Sequence, residues 1–239
     1  MVDKTGDNAA LEAIYAMVDA EREGHDFRET IYLIESPSAD DLLDGRNEGD
    51  SLVRILKLAE ISVVYFVAIN EEMFEKAFDM IETAILNQPD VGTAMPMVHI
   101  SAHGSEDGIE LSDGDVILWD KLTTLLQKLH QTIGPINIPP PLPQCVPKVT
   151  LCLSSCSAFS AYKNAAPRPT PFQAIVGPIR DIGWCESMLA FASFYYTTNI
   201  MRKPYVSAVM CMNFANGSVI GDGPIFDTWN WFEDGDERP

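Results

Sequence analysis

Short apolar runs separated by amphipathic stretches recur along this chain, and that alternation restricts its fold more than any other feature. Residues 31–34, 63–67, 95–100, 149–153 and 174–176 read as buried strands, the last stopped by Gly177-Pro178. Between them, Leu52, Ile55, Leu56 and Ala59 recur at helical spacing. So do Phe74, Phe78, Ile81 and Ile85 within residues 71–86, a helix that Pro89 ends. Helices are also predicted over 8–24, with Ala9, Ile14, Met17 and Val18 on one face, and over 119–129, with Leu122, Leu125, Leu126 and Leu129. Two more are predicted over 184–197 and 205–214, although the β-branched content of the last leaves a strand open. Residues 108–118 read as a β-hairpin. Polar residues 35–41 with a turn at Gly45, the Pro-rich stretch 134–147 and residues 165–171 read as loops. Strand followed by helix, repeated, predicts a mostly parallel sheet covered by helices on both faces, an α/β/α sandwich. No repeat or boundary divides the chain, so residues 1–239 are expected to form one domain.

The bulk properties narrow the function. Of 239 residues, 46% are hydrophobic and 21% charged, which suits a soluble globular protein. The net charge of −19 argues against nucleic-acid or anionic-membrane binding, both of which need basic patches, and keeps a surface soluble. No apolar run is long enough to span a bilayer, and residues 1–7 have no apolar signal region, so a cytoplasmic location is expected. Five scattered cysteines (Cys145, Cys152, Cys156, Cys185 and Cys211) suggest a reducing compartment, not a disulfide framework. His99 and His103, with Cys152 and Cys156, match no common zinc spacing, and no metal or cofactor is expected.

The chemistry gathers at two strand ends. One apolar strand delivers His103-Gly104 and the next core strand delivers Cys156. The carboxyl ends of parallel strands are where open α/β sheets bind and react with ligands. An imidazole can take the proton of a thiol during acyl transfer and pass it to the leaving amine. The tetrahedral intermediate needs donors for its oxyanion. The N–H of Gly104, with no side chain in the way, and the N–H of Cys156 can supply them. Cys152 lies within an apolar strand and reads as a small core residue.

Taken in order, the segments 98–104 (Val-His-Ile-Ser-Ala-His-Gly) and 149–156 (Val-Thr-Leu-Cys-Leu-Ser-Ser-Cys) resemble the caspase-like cysteine peptidase superfamily. The hairpin after His103, then Ile175-Val176-Gly177-Pro178 and Trp184, resemble its bacterial CHAT-type members. The likeness spans about residues 28–200. It implies a caspase-like three-layer α/β/α fold, with His103 as base and acid, Cys156 as nucleophile, and a protein or peptide substrate. Residues 154–158 (Ser-Ser-Cys-Ser-Ala) depart from the Gln-Ala-Cys-x-Gly of true caspases.

The resemblance says less about the pocket. Arg46 falls near the place of an arginine that reads substrate Asp in caspases; as a loop arginine it also suits pairing with nearby acids. The second such arginine is missing at Gly183-Trp184-Cys185. Asp181 suits a basic substrate residue, as in metacaspase-like relatives, or a helix N-terminus. Ser154 and Trp184 complete the candidate pocket residues. Pro169 after Arg168 disfavours cleavage where caspases are processed, so a single-chain enzyme is expected. An activator or adaptor, and a role in bacterial defence or cell death, follow from the resemblance. A catalytically inactive interaction module is the alternative, and the aromatic tail (Phe226, Trp229, Trp231, Phe232) is a docking candidate or packs back on the domain.

Overall fold

The protein is described here by a computed structural model covering residues 29–89, 91, 94–135, 146–166, 169–217 and 223–230. The helix expected over 8–24, Cys145, Arg168, Trp231, Phe232 and most of the Pro-rich stretch lie outside the described residues.

Eight strands form one sheet: β1 (Ile31–Ser36), β2 (Val63–Val67), β3 (Met97–Gly104), β4 (Gly108–Glu110), β5 (Val116–Leu118), β6 (Thr150–Ser154), β7 (Ala174–Pro178) and β8 (Phe226–Asn230). Its main path runs β2-β1-β3-β6-β7-β8, with the β4–β5 hairpin hanging from the end of β3. All pairs on the path are parallel except β7–β8. The helices are α1 (Ala39–Asp44), α2 (Glu48–Leu58), α3 (Glu71–Leu86), α4 (Trp119–Ile133), α5 (Ala158–Ala165), α6 (Trp184–Tyr195) and α7 (Tyr205–Ala215), with a π-helical turn at Tyr196–Ile200.

Strand alternation sorts the core into two layers, because successive side chains point to opposite faces. Tyr32, Ile34, Val98, Ile100, Leu151, Leu153 and Ile175 pack against Phe74, Phe78 and Ile81 of α3, Leu122 and Leu126 of α4, and Phe159 and Tyr162 of α5. Ile31, Leu33, Met97, Cys152 and Val176 pack against Leu52 and Leu56 of α2, Phe191 and Phe194 of α6, and Met212 of α7. This is the expected mostly parallel sheet between two helical layers.

Several expectations are corrected. Residues 39–44 are helical because Ser38 caps them, its hydroxyl accepting from Asp41 N–H while the Asp41 carboxylate accepts from Ser38 N–H. β3 continues through His103-Gly104 because its end pairs antiparallel with β4, His103 opposite Glu110 and Gly104 opposite Ile109. Ile55 faces outward and Val53 takes its place in the core. Residues 158–165 form a helix where none was expected. The helix expected over 205–214 forms at 205–215, so the strand left open there is ruled out, with Ala208, Val209 and Met212 buried against the second core. Phe226 and Trp229 belong to β8 and are 1% exposed, so they are core residues and not a docking surface.

Candidate active site

At the carboxyl ends of β3 and β6, His103 and Cys156 line one cleft with Ala102, Ser154 and Ser155. Ile182, Gly183, Trp184 and Arg46 also line it. Topology explains the meeting: β3 and β6 are neighbours in register, Ser101 opposite Ser154, so the residues that follow emerge side by side. Gly104 lets them come close. A Cβ there would lie 2.6 Å from the Cys156 carbonyl oxygen and 2.9 Å from Ser155 Cβ, so no other residue fits without moving the cysteine loop. After Cys156 the chain turns sharply: Ser157 has φ 55°, the left-handed region that costs a non-glycine residue about 1–2 kcal/mol.

Asp41 organises the imidazole. It is buried, and its Oδ2 accepts from His103 Nε2 (2.8 Å) and Ser38 Oγ (2.6 Å). Its Oδ1 accepts from Trp184 Nε1 (3.0 Å) and faces Arg46 Nε (3.2 Å). Burial alone would raise the carboxyl; hydrogen bonds from Ser38, His103 and Trp184 outweigh it and hold Asp41 below the ordinary carboxylate range. An ionised carboxylate only accepts, so His103 Nε2 carries the hydrogen and Nδ1 is the nitrogen able to take a proton. The Trp184 ring stands edge-on to the imidazole, centroids 5.1 Å apart, and fixes it from a second side. Sequence reading missed Asp41. Its signal was the capping box Ser38-x-x-Asp41 inside residues read as a loop.

The Cys156 sulfur rests on the Ile182 peptide. Ile182 N–H donates to it (3.5 Å) and the thiol donates to the Ile182 carbonyl (3.6 Å). Among the described residues no hydrogen bond joins it to His103. A thiolate would keep only the Ile182 N–H, so deprotonation releases the sulfur from the carbonyl side.

The pocket candidates separate. Trp184 lines the cleft and holds Asp41. Ser154 lines the cleft, but its hydroxyl belongs to a buried network with Glu48 (2.6 Å) and Ser187. Arg46 is half exposed and paired with Asp41 and Asp44. Asp181 is exposed, accepts from Ser157 Oγ (3.4 Å) and is not among the residues lining the cleft.

Deeper on the same strands, His99 lies opposite Cys152. Both are fully buried. Burial pushes His99 down to about 3, and burial pushes the Cys152 thiol up to about 12 against a small opposing effect of Tyr195. That pair is neutral at any working pH. Among the described residues no group of three or more His, Cys, Asp or Glu side chains forms a metal-holding cluster, and no helix is long and apolar enough to cross a membrane.

Comparison with solved structures finds drICE, a caspase, at a TM-score of 0.51 and 13% identity, over 86% of this chain and 88% of that one. The fold is caspase-like. No family model matches the chain, and no curated protein matches it. At this identity the likeness shows the fold alone.

Proposed function

We propose that the chain is a cysteine endopeptidase acting on protein or peptide substrates. The observation that carries this reading is the convergence on one cleft of a thiol and an imidazole whose far nitrogen is bound to a buried, ionised carboxylate. In the proposed reaction His103 Nδ1 takes the Cys156 proton and the thiolate attacks the scissile carbonyl carbon. Charge builds on the carbonyl oxygen, facing the N–H groups of Gly104 and Cys156. The imidazolium then gives its proton to the leaving amine as the C–N bond breaks, leaving a thioester that water hydrolyses. Asp41 acts through His103 as a positioning residue: it fixes the tautomer and stabilises the imidazolium.

The likeness to CHAT-type domains extends the proposal to a protease that cuts a partner protein in a bacterial defence or cell-death system, under an activator or adaptor. Arg46 and Asp181 are the charged groups from which a substrate preference would be built, toward acidic or basic residues respectively. The bond from the Cys156 thiol to the Ile182 carbonyl favours the second reading, an inactive caspase-like interaction module. A thiol-directed activity probe, read by mass spectrometry, decides between them. The peptidase reading expects labelling of Cys156 that falls at least tenfold in His103→Ala, with cleavage products lost in Cys156→Ala. Equal labelling with and without His103 selects the module.

A further inference from the structure

The buried carboxyl of Glu48 belongs to no step of the proposed reaction, yet it touches three of the elements that build the cleft. Glu48 is the first residue of α2 and is 3% exposed. Its Oε2 accepts from Ser101 Oγ of β3 (2.7 Å) and from Ser154 Oγ of β6 (2.6 Å). Those two serines face each other across the parallel ladder, and they are the last such pair before the strands part toward His103 and Cys156. Ser154 Oγ is bonded in turn to Ser187 Oγ in the first turn of α6, three residues after Trp184. One carboxylate oxygen thus bridges the strand that ends in the histidine and the strand that ends in the cysteine. Through one further hydroxyl it reaches the helix whose first residue holds Asp41.

A carboxyl is a costly choice for this place. Burial pushes Glu48 up to about 7, against the pull of Ser154, Ser101 and Ser187, and Glu35 raises it further. Its Oε1 is buried with no hydrogen-bond partner among the described residues. Among the described residues the titratable groups that act on it carry no positive charge: Glu35 from β1, itself bonded to Tyr65 of β2 and Gly49 N–H, and Tyr195 from α6; Asp50, on the helix of Glu48, acts in turn on Glu35. A well-packed apolar side chain would hold the layers together at less cost. What an apolar side chain cannot do is fix two hydroxyls on adjacent strands to one point.

We propose that Glu48 is a positioning residue of the active site: by tying Ser101 to Ser154 it sets the separation of His103 and Cys156, and by way of Ser187 the placement of Trp184. The proposal rests on the Cys–His reading above. It predicts that breaking the tie weakens the coupling between imidazole and thiol while leaving the thiol itself intact.

The test needs no known substrate. Iodoacetamide alkylation of Cys156, followed by mass spectrometry of its peptide so that other cysteines do not interfere, is measured from pH 5 to pH 9.5. Wild type is expected to react at pH 6.5 because the imidazole takes the thiol proton during attack, and His103→Ala to lose that reactivity. Glu48→Leu is expected to lose at least fivefold of the rate at pH 6.5 while staying within twofold at pH 9.5, where an isolated thiol is ionised. Glu48→Gln, whose amide oxygen still accepts from both serines, is expected to restore most of the rate at pH 6.5. A purely structural role would lower the melting temperature and leave the shape of the profile alone. If Glu48→Leu does not fold, Ser101→Ala with Ser154→Ala removes the same tie and is expected to give the same loss. A wild-type profile in a folded Glu48→Leu or in the double serine variant overturns the proposal. A wild-type profile in His103→Ala overturns the Cys–His reading instead, so the two failures are distinct.

Discussion

Strands β3 and β6 and the turn after β6 carry two histidine–cysteine pairs four residues apart, and the pairs differ in everything except composition. His99 and Cys152 face each other inside the sheet, and Phe191 and Tyr195 of α6 pack on the imidazole. His103 and Cys156 stand at the rim, one bound to Asp41 and the other resting on a peptide group. In the inner pair burial removes the charged form of both partners. In the outer pair a carboxylate accepts from the far nitrogen of the imidazole and leaves the other nitrogen to take a proton in the proposed reaction. Residue type gives a histidine and a cysteine the capacity to react; in the proposed reaction, solvent access and one carboxylate set the outer pair apart.

The largest expected effect separates the pairs directly. Cys156→Ala should abolish cleavage or probe labelling, a loss of roughly 10³-fold or more. Cys152→Ala should leave activity within a few-fold and cost about 1 kcal/mol of stability, measured by denaturant unfolding. Loss of activity in both would erase the distinction. The next test removes the feature that sets the outer pair apart. Asp41→Asn keeps the shape but lets an amide face His103 Nε2, and should lower kcat roughly 10²-fold with a small change in KM. An unchanged kcat would leave the outer imidazole with no use for its carboxylate.

A smaller effect concerns the acid beside the pairs. Glu48 holds its proton to about pH 7 when folded, whereas an ordinary carboxyl in the unfolded chain gives it up near pH 4.5. The folded state therefore binds the extra proton between those values. Its contribution to stability is full below pH 4.5 and is lost as pH rises toward 7, on the order of 3 kcal/mol at most. His99 has the opposite sign: neutral when folded, it costs stability as pH falls below about 6.5. The difference between wild type and Glu48→Gln in unfolding free energy, measured across pH 4.5 to 8, isolates the carboxyl and should shrink with rising pH. The smallest effect belongs to Arg46→Ala, which removes two half-exposed ion pairs and should change stability by less than about 1 kcal/mol in thermal unfolding.

Much of this fold was legible in the sequence, because buried parallel strands and amphipathic helices leave periodic traces. The bounds of α3, 71–86, came from its Phe74, Phe78, Ile81 and Ile85 spacing and the proline behind it. β8 was not legible: an acidic, aromatic segment reads as a surface tail, and only pairing with β7 buries Phe226 and Trp229. Of the cleft, His103 and Cys156 could be singled out because strand ends are recognisable and the two strands are neighbours. Asp41 and Glu48 could not. Their roles depend on side-chain bonds across distant elements, and a short polar stretch carries no mark of which acid turns inward. Arg46 could be placed near the cleft, but its engagement with Asp41 and Asp44 is a property of the turn at Gly45, where α1 ends.

The bond between Trp184 and Asp41 joins residues 143 positions apart. Its consequence is temporal. A chain growing on a ribosome completes β3 and β6, and so presents both the imidazole and the thiol, before the indole that fixes Asp41 has been made. Contacts of such long sequence separation form late, since loop closure must precede them. The cleft is therefore incomplete until Trp184 has been made, and the proposed proteolytic competence would follow it.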